Sequence, residues 1–257
     1  MKTKAKILTT ISVLLAFVVL IVVLSSTVFC VSAINVVWHT ETKNLTDKNS
    51  QVVLSSGINN GNSVFLIGKE EAIEKIESEF AYIKVIGIET VFPNILNIHA
   101  VEREPMFAVQ LTENSYVITD EDFKVLDIRT GDFNSTSTNE IKLYGTFSES
   151  LDTMFLDMEE LEQFKTIKEN FALRNMDLSQ LKAFIKSATF KEDRIIMNTF
   201  FGVEIQIFEP LVRQQEKIAM LLEVFHSLDA ERRASGVIGV YENPQSQICG
   251  SHHIKNA

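Results

Sequence analysis

Between Ile7 and Ile34 the chain carries no charged residue and is built mostly of Val, Leu, Ile, Phe and Ala. About 20 apolar residues rising about 1.5 Å each cross a hydrocarbon core of about 30 Å. Residues 7–34 are therefore expected to form a single N-terminal transmembrane helix after a short tail of residues 1–6. Lys2, Lys4 and Lys6 precede the run and the next Lys or Arg is Lys43. Positive charge is retained on the cytoplasmic side, which puts the N-terminus in the cytoplasm and the rest outside, a single-pass type II arrangement. The rival is a cleaved signal peptide, because Val31-Ser32-Ala33 offers small residues to a peptidase. A cleavable apolar core runs about 7 to 15 residues, and this one is longer. A lipoprotein signal before Cys30 would need a small residue where Phe29 stands. An uncleaved anchor is the reading retained.

Of the 24 basic residues three precede the run, so the part beyond it holds 21 against 34 acidic ones, a net charge of −13. Such a domain does not seek nucleic acid or an anionic bilayer by electrostatics. Its two cysteines are Cys30, within the run, and Cys249, near the C-terminus, so no internal disulfide framework is available. Stability must come from packed cores, and the 224 residues after Ala33 are enough chain for two small ones.

The alternation Ile34, Val36, Trp38 predicts a first strand, with the indole of Trp38 on the apolar face, in the core in preference to the membrane interface. Thr46 and Asp47 suit the cap of a short helix from Lys48 to Ser56, left by Gly57. A second helix is expected over Lys69 to Phe80, with Ala72, Ile73, Ile76 and Phe80 on one side. A strand from Lys84 to Phe92, a turn at Pro93-Asn94 and a strand with Leu96, Ile98 and Ala100 on one face follow, and Pro105 ends the pairing. That order buries two helix stripes on one face of a three-stranded sheet. It makes residues 35–104 an α+β module.

Residues 105–250 read as a second domain, mostly β with flanking helices. Strands are expected over Met106 to Leu111, Tyr116 to Thr119, Lys124 to Ile128, Phe184 to Thr189, Arg194 to Thr199 and Val203 to Phe208. A loop covers Thr130 to Asn139. Helices are expected through Leu161, Phe164, Ile167 and Phe171 and over Gln215 to Leu228. A last β segment begins at Gly236, and residues 251–257 read as a flexible tail.

No chemistry emerges from the polar residues. Asp120-Glu121-Asp122 lacks the glycine and closing glutamate of a calcium loop and reads as a hairpin turn. Asp157, Glu159, Glu160 and Glu162 adjoin a helix start, where acidic side chains favour the dipole. His39, His99 and His226 stand isolated. Cys249, His252 and His253 are three donors without a fourth ligand or supporting shell. No nucleophile elbow, phosphate loop or Cys-His pattern is present. The expectation is no catalytic residue, no metal and no cofactor.

The wording of the hairpin, Val91-Phe92-Pro93-Asn94 into an alternating strand closed by Glu102-Arg103-Glu104-Pro105, resembles the FtsQ/DivIB family of bacterial cell-division proteins. Ser56-Gly57-Ile58 with Gly61-Asn62-Ser63-Val64-Phe65, Tyr82-Ile83-Lys84-Val85, and Tyr116-Val117-Ile118-Thr119-Asp120 are similar to further family segments. So are Gly202-Val203-Glu204-Ile205, Glu216-Lys217-Ile218 and Ser235-Gly236-Val237-Ile238. Phe123 departs from the pattern, standing where the family often has a turn glycine. The resemblance implies a polypeptide-transport-associated (POTRA) fold for the first domain and an FtsQ/DivIB-type β domain for the second. It implies a non-enzymatic scaffold at the division septum that binds small bitopic partners of the FtsL and FtsB/DivIC types and through them influences the septal peptidoglycan synthase. Partner binding is expected by β-addition at the terminal segment, roughly Gly236 to Ile248, with Val237, Ile238, Val240 and Tyr241, then Asn243, Gln245, Gln247 and Ile248, as the candidate residues; the alternative for the first four is that they are ordinary core and edge residues. A charge placed outward between Asn243 and Ile248 is expected to weaken binding. The alternatives are another membrane-anchored binding protein or an enzyme acting on cell-wall polymer. A module attached to an outer-membrane barrel is excluded by the lack of repeats and of lipid-facing strands.

Overall fold

The computed structural model describes residues 2–39, 48–135, 139–145 and 159–254, without the side chains of residues 2–9, 24–27 and 159–162. The expected caps Thr46 and Asp47, Asp157, and the end of the tail at residues 255–257 lie outside the described residues, as do the side chains of Glu159, Glu160 and Glu162. The chain divides into two compact units, Met1–Arg103 and Glu104–Ala257.

The first unit begins with helix α1 (Lys2–Thr27). Among the described residues no helix is long and apolar enough to cross a membrane; within α1 side chains are described only for residues 10–23. The helix expected over residues 7–34 ends before Ile34. The helix stops at Thr27, Val31 is buried, and strand β1 (Ala33–Trp38) has begun before residue 34. The reason is pairing: Val31 N–H donates to Asn62 O at 2.8 Å and Ser32 N–H to Asn94 O at 2.9 Å, which draws these apolar residues into the domain.

Helices α2 (Asn49–Ser55) and α3 (Lys69–Glu79) follow, then strands β2 (Ile83–Val91) and β3 (Ile95–Glu102). The sheet order is β1-β3-β2, with β1 parallel and β2 antiparallel to β3. The apolar positions spaced along α3, Ala72 and Ile76, meet Val52 of α2 and the inward residues Ile83, Val85, Leu96, Ile98 and Ala100 of the sheet. Trp38 packs against this core and donates its indole N–H to Asn49 Oδ1 at 2.8 Å, so its place is the domain and not a bilayer surface. Arg103 closes the unit. Its guanidinium donates to Glu77 Oε2 at 2.8 Å and to Ile83 O at 3.3 Å, while Glu77 Oε1 accepts from the Val85 N–H at 2.8 Å beside a bulge in β2. The closing Glu-Arg-Glu-Pro thus bolts the end of the sheet to α3.

The second unit contains β4 (Phe107–Thr112), β5 (Ser115–Thr119), β6 (Val125–Thr130) and β7 (Ile141–Tyr144), then helices α4 (Glu159–Ala172) and α5 (Leu178–Phe184). Next come β8 (Ile185–Phe190), β9 (Arg194–Thr199) and β10 (Glu204–Phe208), helices α6 (Gln214–Ser227) and α7 (Ala230–Arg233), and β11 (Val237–Glu242) and β12 (Ile248–His253). All nine strands form one sheet in the order β12-β11-β10-β9-β8-β7-β4-β5-β6. Phe164, Ile167 and Phe171 of α4 and Ile218, Leu221 and Phe225 of α6 pack on inward residues from β4 to β11. On the opposite face, at the β4–β5 end, Phe133 packs with Ala108, Tyr116 and Ile118.

Phe123 takes the left-handed conformation itself, at φ 62°, and lies buried with its ring stacked on Phe107 at 4.8 Å. The hairpin bend is kept without the glycine because the buried ring offsets the backbone strain. Asp120 Oδ1 accepts the N–H groups of Asp122 and Lys124, both at 2.9 Å, so the acidic stretch is an Asx-stabilised turn. The expected tail at residues 251–257 is in part a strand: Ile238 faces His252 and Val237 faces His253 in the β11–β12 pair.

Candidate partner-binding edge

Period-two alternation decides what the last strands present. On β11, Ile238 and Val240 turn to the helices and are fully buried, so Val237, Gly239 and Tyr241 turn the other way. On β10 Ile205 and Ile207 are likewise buried, leaving Gln206 and Phe208 opposite. Register places Ser251 beside Gly239 and Cys249 beside Tyr241. The result is a groove of about 620 Å³ on the face away from the helices, lined by Gly239, Phe208 and Tyr241 among others, with Asp193, Glu209 and Glu242 supplying carboxylates. Tyr241 is 41% exposed.

The edge beside this groove is β12. Among the described residues it pairs only with β11, so the backbone groups on its other side are open to a further strand. Two features hold it in place. Gly250 faces α6 so closely that a Cβ would lie 2.8 Å from Met220 Cγ and 2.8 Å from Val224 Cγ2. Arg213, at the start of α6, donates to Ser246 O at 2.6 Å in the β11–β12 turn and lies 3.5 Å from Glu242, while also pairing with Glu216. Its hydrogen bond to Glu216 is the main cause raising the Arg213 pKa above the ordinary arginine value and lowering that of Glu216. Lys217 is wholly buried and donates to Phe208 O at 2.8 Å and Glu209 O at 2.9 Å; burial lowers its ammonium below the usual lysine range.

The expected edge residues are therefore divided. Val237, Ile238, Val240 and Tyr241 belong to β11, which is paired on both sides and is not the edge. Asn243 organises the turn, its Oδ1 accepting from Gln245 N–H at 3.0 Å and Gln247 N–H at 2.8 Å. Ile248 opens the true edge strand. Cys249, His252 and His253 do not converge: Cys249 and His253 share one face, while His252 lies on the other and reaches Ser235 O at 3.0 Å. Among the described residues no group of three His, Cys, Asp or Glu side chains is placed to hold a metal. His39 and His99 are not isolated either, since β1 and β3 bring their rings within 2.9 Å (Nε2 to Nδ1), and His99 Nε2 contacts Glu89 at 3.2 Å. Their 60-residue separation hid that contact from the sequence.

Residues 41–103 match the family model described as POTRA domain, FtsQ-type. The first unit therefore carries an FtsQ-type POTRA domain, and the chain is FtsQ/DivIB-like in containing it. Comparison with curated proteins finds no match to this chain.

Proposed function

We propose that the protein is a non-enzymatic, single-pass membrane scaffold of the bacterial divisome, with its N-terminus in the cytoplasm and both units outside. It binds FtsL-type and FtsB/DivIC-type partners at the division septum and helps couple septum assembly to septal peptidoglycan synthesis. The observation that carries the binding site is the edge strand β12 beside the Phe208–Tyr241 groove. A partner strand adds to β12 through its backbone, and its side chains reach the groove, where the carboxylates favour basic groups. Membrane anchoring is supported by α1, whose described residues Ile11, Val13, Leu14, Phe17, Leu20 and Val23 are all 48–65% exposed, an apolar surface with no polar face. The Val31-Ser32-Ala33 stretch is built into the POTRA domain, which argues for an anchor over a cleaved leader.

The test is calorimetric titration of the full chain, in lipid nanodiscs, with the soluble parts of the two partner types. Tyr241→Ala removes an exposed aromatic wall and is expected to weaken binding by about tenfold or more, as loss of an aromatic anchor does, with thermal stability unchanged. Unaltered affinity contradicts the assignment of the site.

A further inference from the structure

The exit of α1 is held by hydrogen bonds, with no free linker. Val64 N–H donates to Phe29 O, Val31 N–H to Asn62 O, and Gly61 N–H to Val31 O, all at 2.8–2.9 Å, and the backbone of Cys30 pairs with that of Ser63 as an isolated antiparallel β-bridge. Ser32 N–H reaches Asn94 O in the β2–β3 turn at 2.9 Å. Two loops distant in sequence, around residues 61–66 and 91–94, are thereby pinned within a few residues of the helix end.

Those loops present rings outward. Phe29 lies 5.2 Å from Phe65 and 6.4 Å from Phe92, centroid to centroid, and Phe65 lies 6.0 Å from Phe92. Phe65 is 59% and Phe92 64% exposed, and neighbouring Leu66 is 85% exposed. Phe29 is half-buried against the core, and two exposed rings and a leucine clustered on it are costly for a surface with no occupant.

We propose that Phe29, Phe65 and Phe92 seat in the headgroup–acyl boundary of the outer leaflet, so that the POTRA domain is docked on the bilayer by a second, non-covalent contact. This rests on the membrane reading of α1 given above. The occupant is lipid because the chain itself sets the height: Phe29 follows the end of α1 by two residues, about 7 Å of extended chain. Apolar rings of a surface-bound segment settle about 5–10 Å into that boundary. The strongly acidic net charge of the exported part makes the contact apolar in origin, so it does not depend on anionic lipid. The other end of the sheet, where α3 ends at Glu79 and β2 begins, is roughly 25 Å away along the strands and stays in water.

The test reconstitutes the full chain, with Cys30→Ser and Cys249→Ser, into phosphatidylcholine–phosphatidylethanolamine vesicles. An environment-sensitive fluorophore is attached at Leu66→Cys or, as the far-end comparison, at Glu79→Cys. Lipids bearing a nitroxide near the headgroup are expected to quench the Leu66 probe severalfold more than the Glu79 probe. Adding Phe65→Asp and Phe92→Asp is expected to abolish that difference while the chain still floats with the vesicles and keeps its circular-dichroism melting transition. Vesicle-bound chain with equal, weak quenching at both positions overturns the docking and leaves the anchor intact. Chain that fails to float with vesicles overturns both together.

Discussion

Arg103 and Glu77 form the most consequential pair in the first unit, with side chains only 3% and 13% exposed. Removing one member of a buried pair strands the other, at a cost of about 3–5 kcal/mol. Arg103→Ala is therefore expected to lower POTRA-domain stability by that order in urea unfolding, and the double replacement Arg103→Met with Glu77→Leu by clearly less. Lys217 gives a pH signature. Its folded pKa lies below the unfolded value of about 10.5, so the unfolded chain binds more protons between the two and stability rises with pH across that window. The expected result is that the wild type gains stability over Lys217→Met as pH approaches 10.5 from below, read from parallel denaturation curves. Neither role was legible from the sequence. Arg103 was visible only as part of a strand-closing phrase, and Lys217 only within the family-like segment Glu216-Lys217-Ile218 of an amphipathic helix, because both roles depend on carbonyls or carboxylates that folding brings near.

At the scale of elements, strong periodicity made α3, α6 and the β2–β3 hairpin readable to within a residue or two of their bounds. The elements that escaped have specific reasons. Helix α5 is only seven residues, although its capping box, Asp177 with Gln180, was a written signal. Strand β7 has four residues after a polar loop. Strand β12, Ile-Cys-Gly-Ser-His-His, has neither alternation nor β-branched residues beyond Ile248, and is made a strand by pairing with β11 and by Gly250 admitting α6. Gly250→Val is accordingly expected to clash with Met220 and Val224, costing about 1–3 kcal/mol as overpacking does and displacing the edge. The checks are a lower melting temperature and weaker partner binding in the same variant, whereas Gly239→Ala, whose Cβ meets nothing within 4 Å, leaves the melting temperature nearly unchanged.

At the scale of the whole molecule, the sequence indicated two folded bodies beyond an apolar run, and the structure divides into two units at Arg103 and Glu104. What it did not indicate was which strand ends the second sheet, since edge status is set by pairing across the whole unit and not by local pattern. The functional account turns on that strand. The most direct measurement is hydrogen–deuterium exchange of the full chain in nanodiscs, with and without the soluble parts of FtsL-type and FtsB/DivIC-type partners. Addition of a partner strand predicts slowed exchange of the amides of residues 248–253 on binding, with the far-edge strand β6 unchanged. Saturating partner that leaves residues 248–253 unaltered, while protecting another surface, would contradict the account.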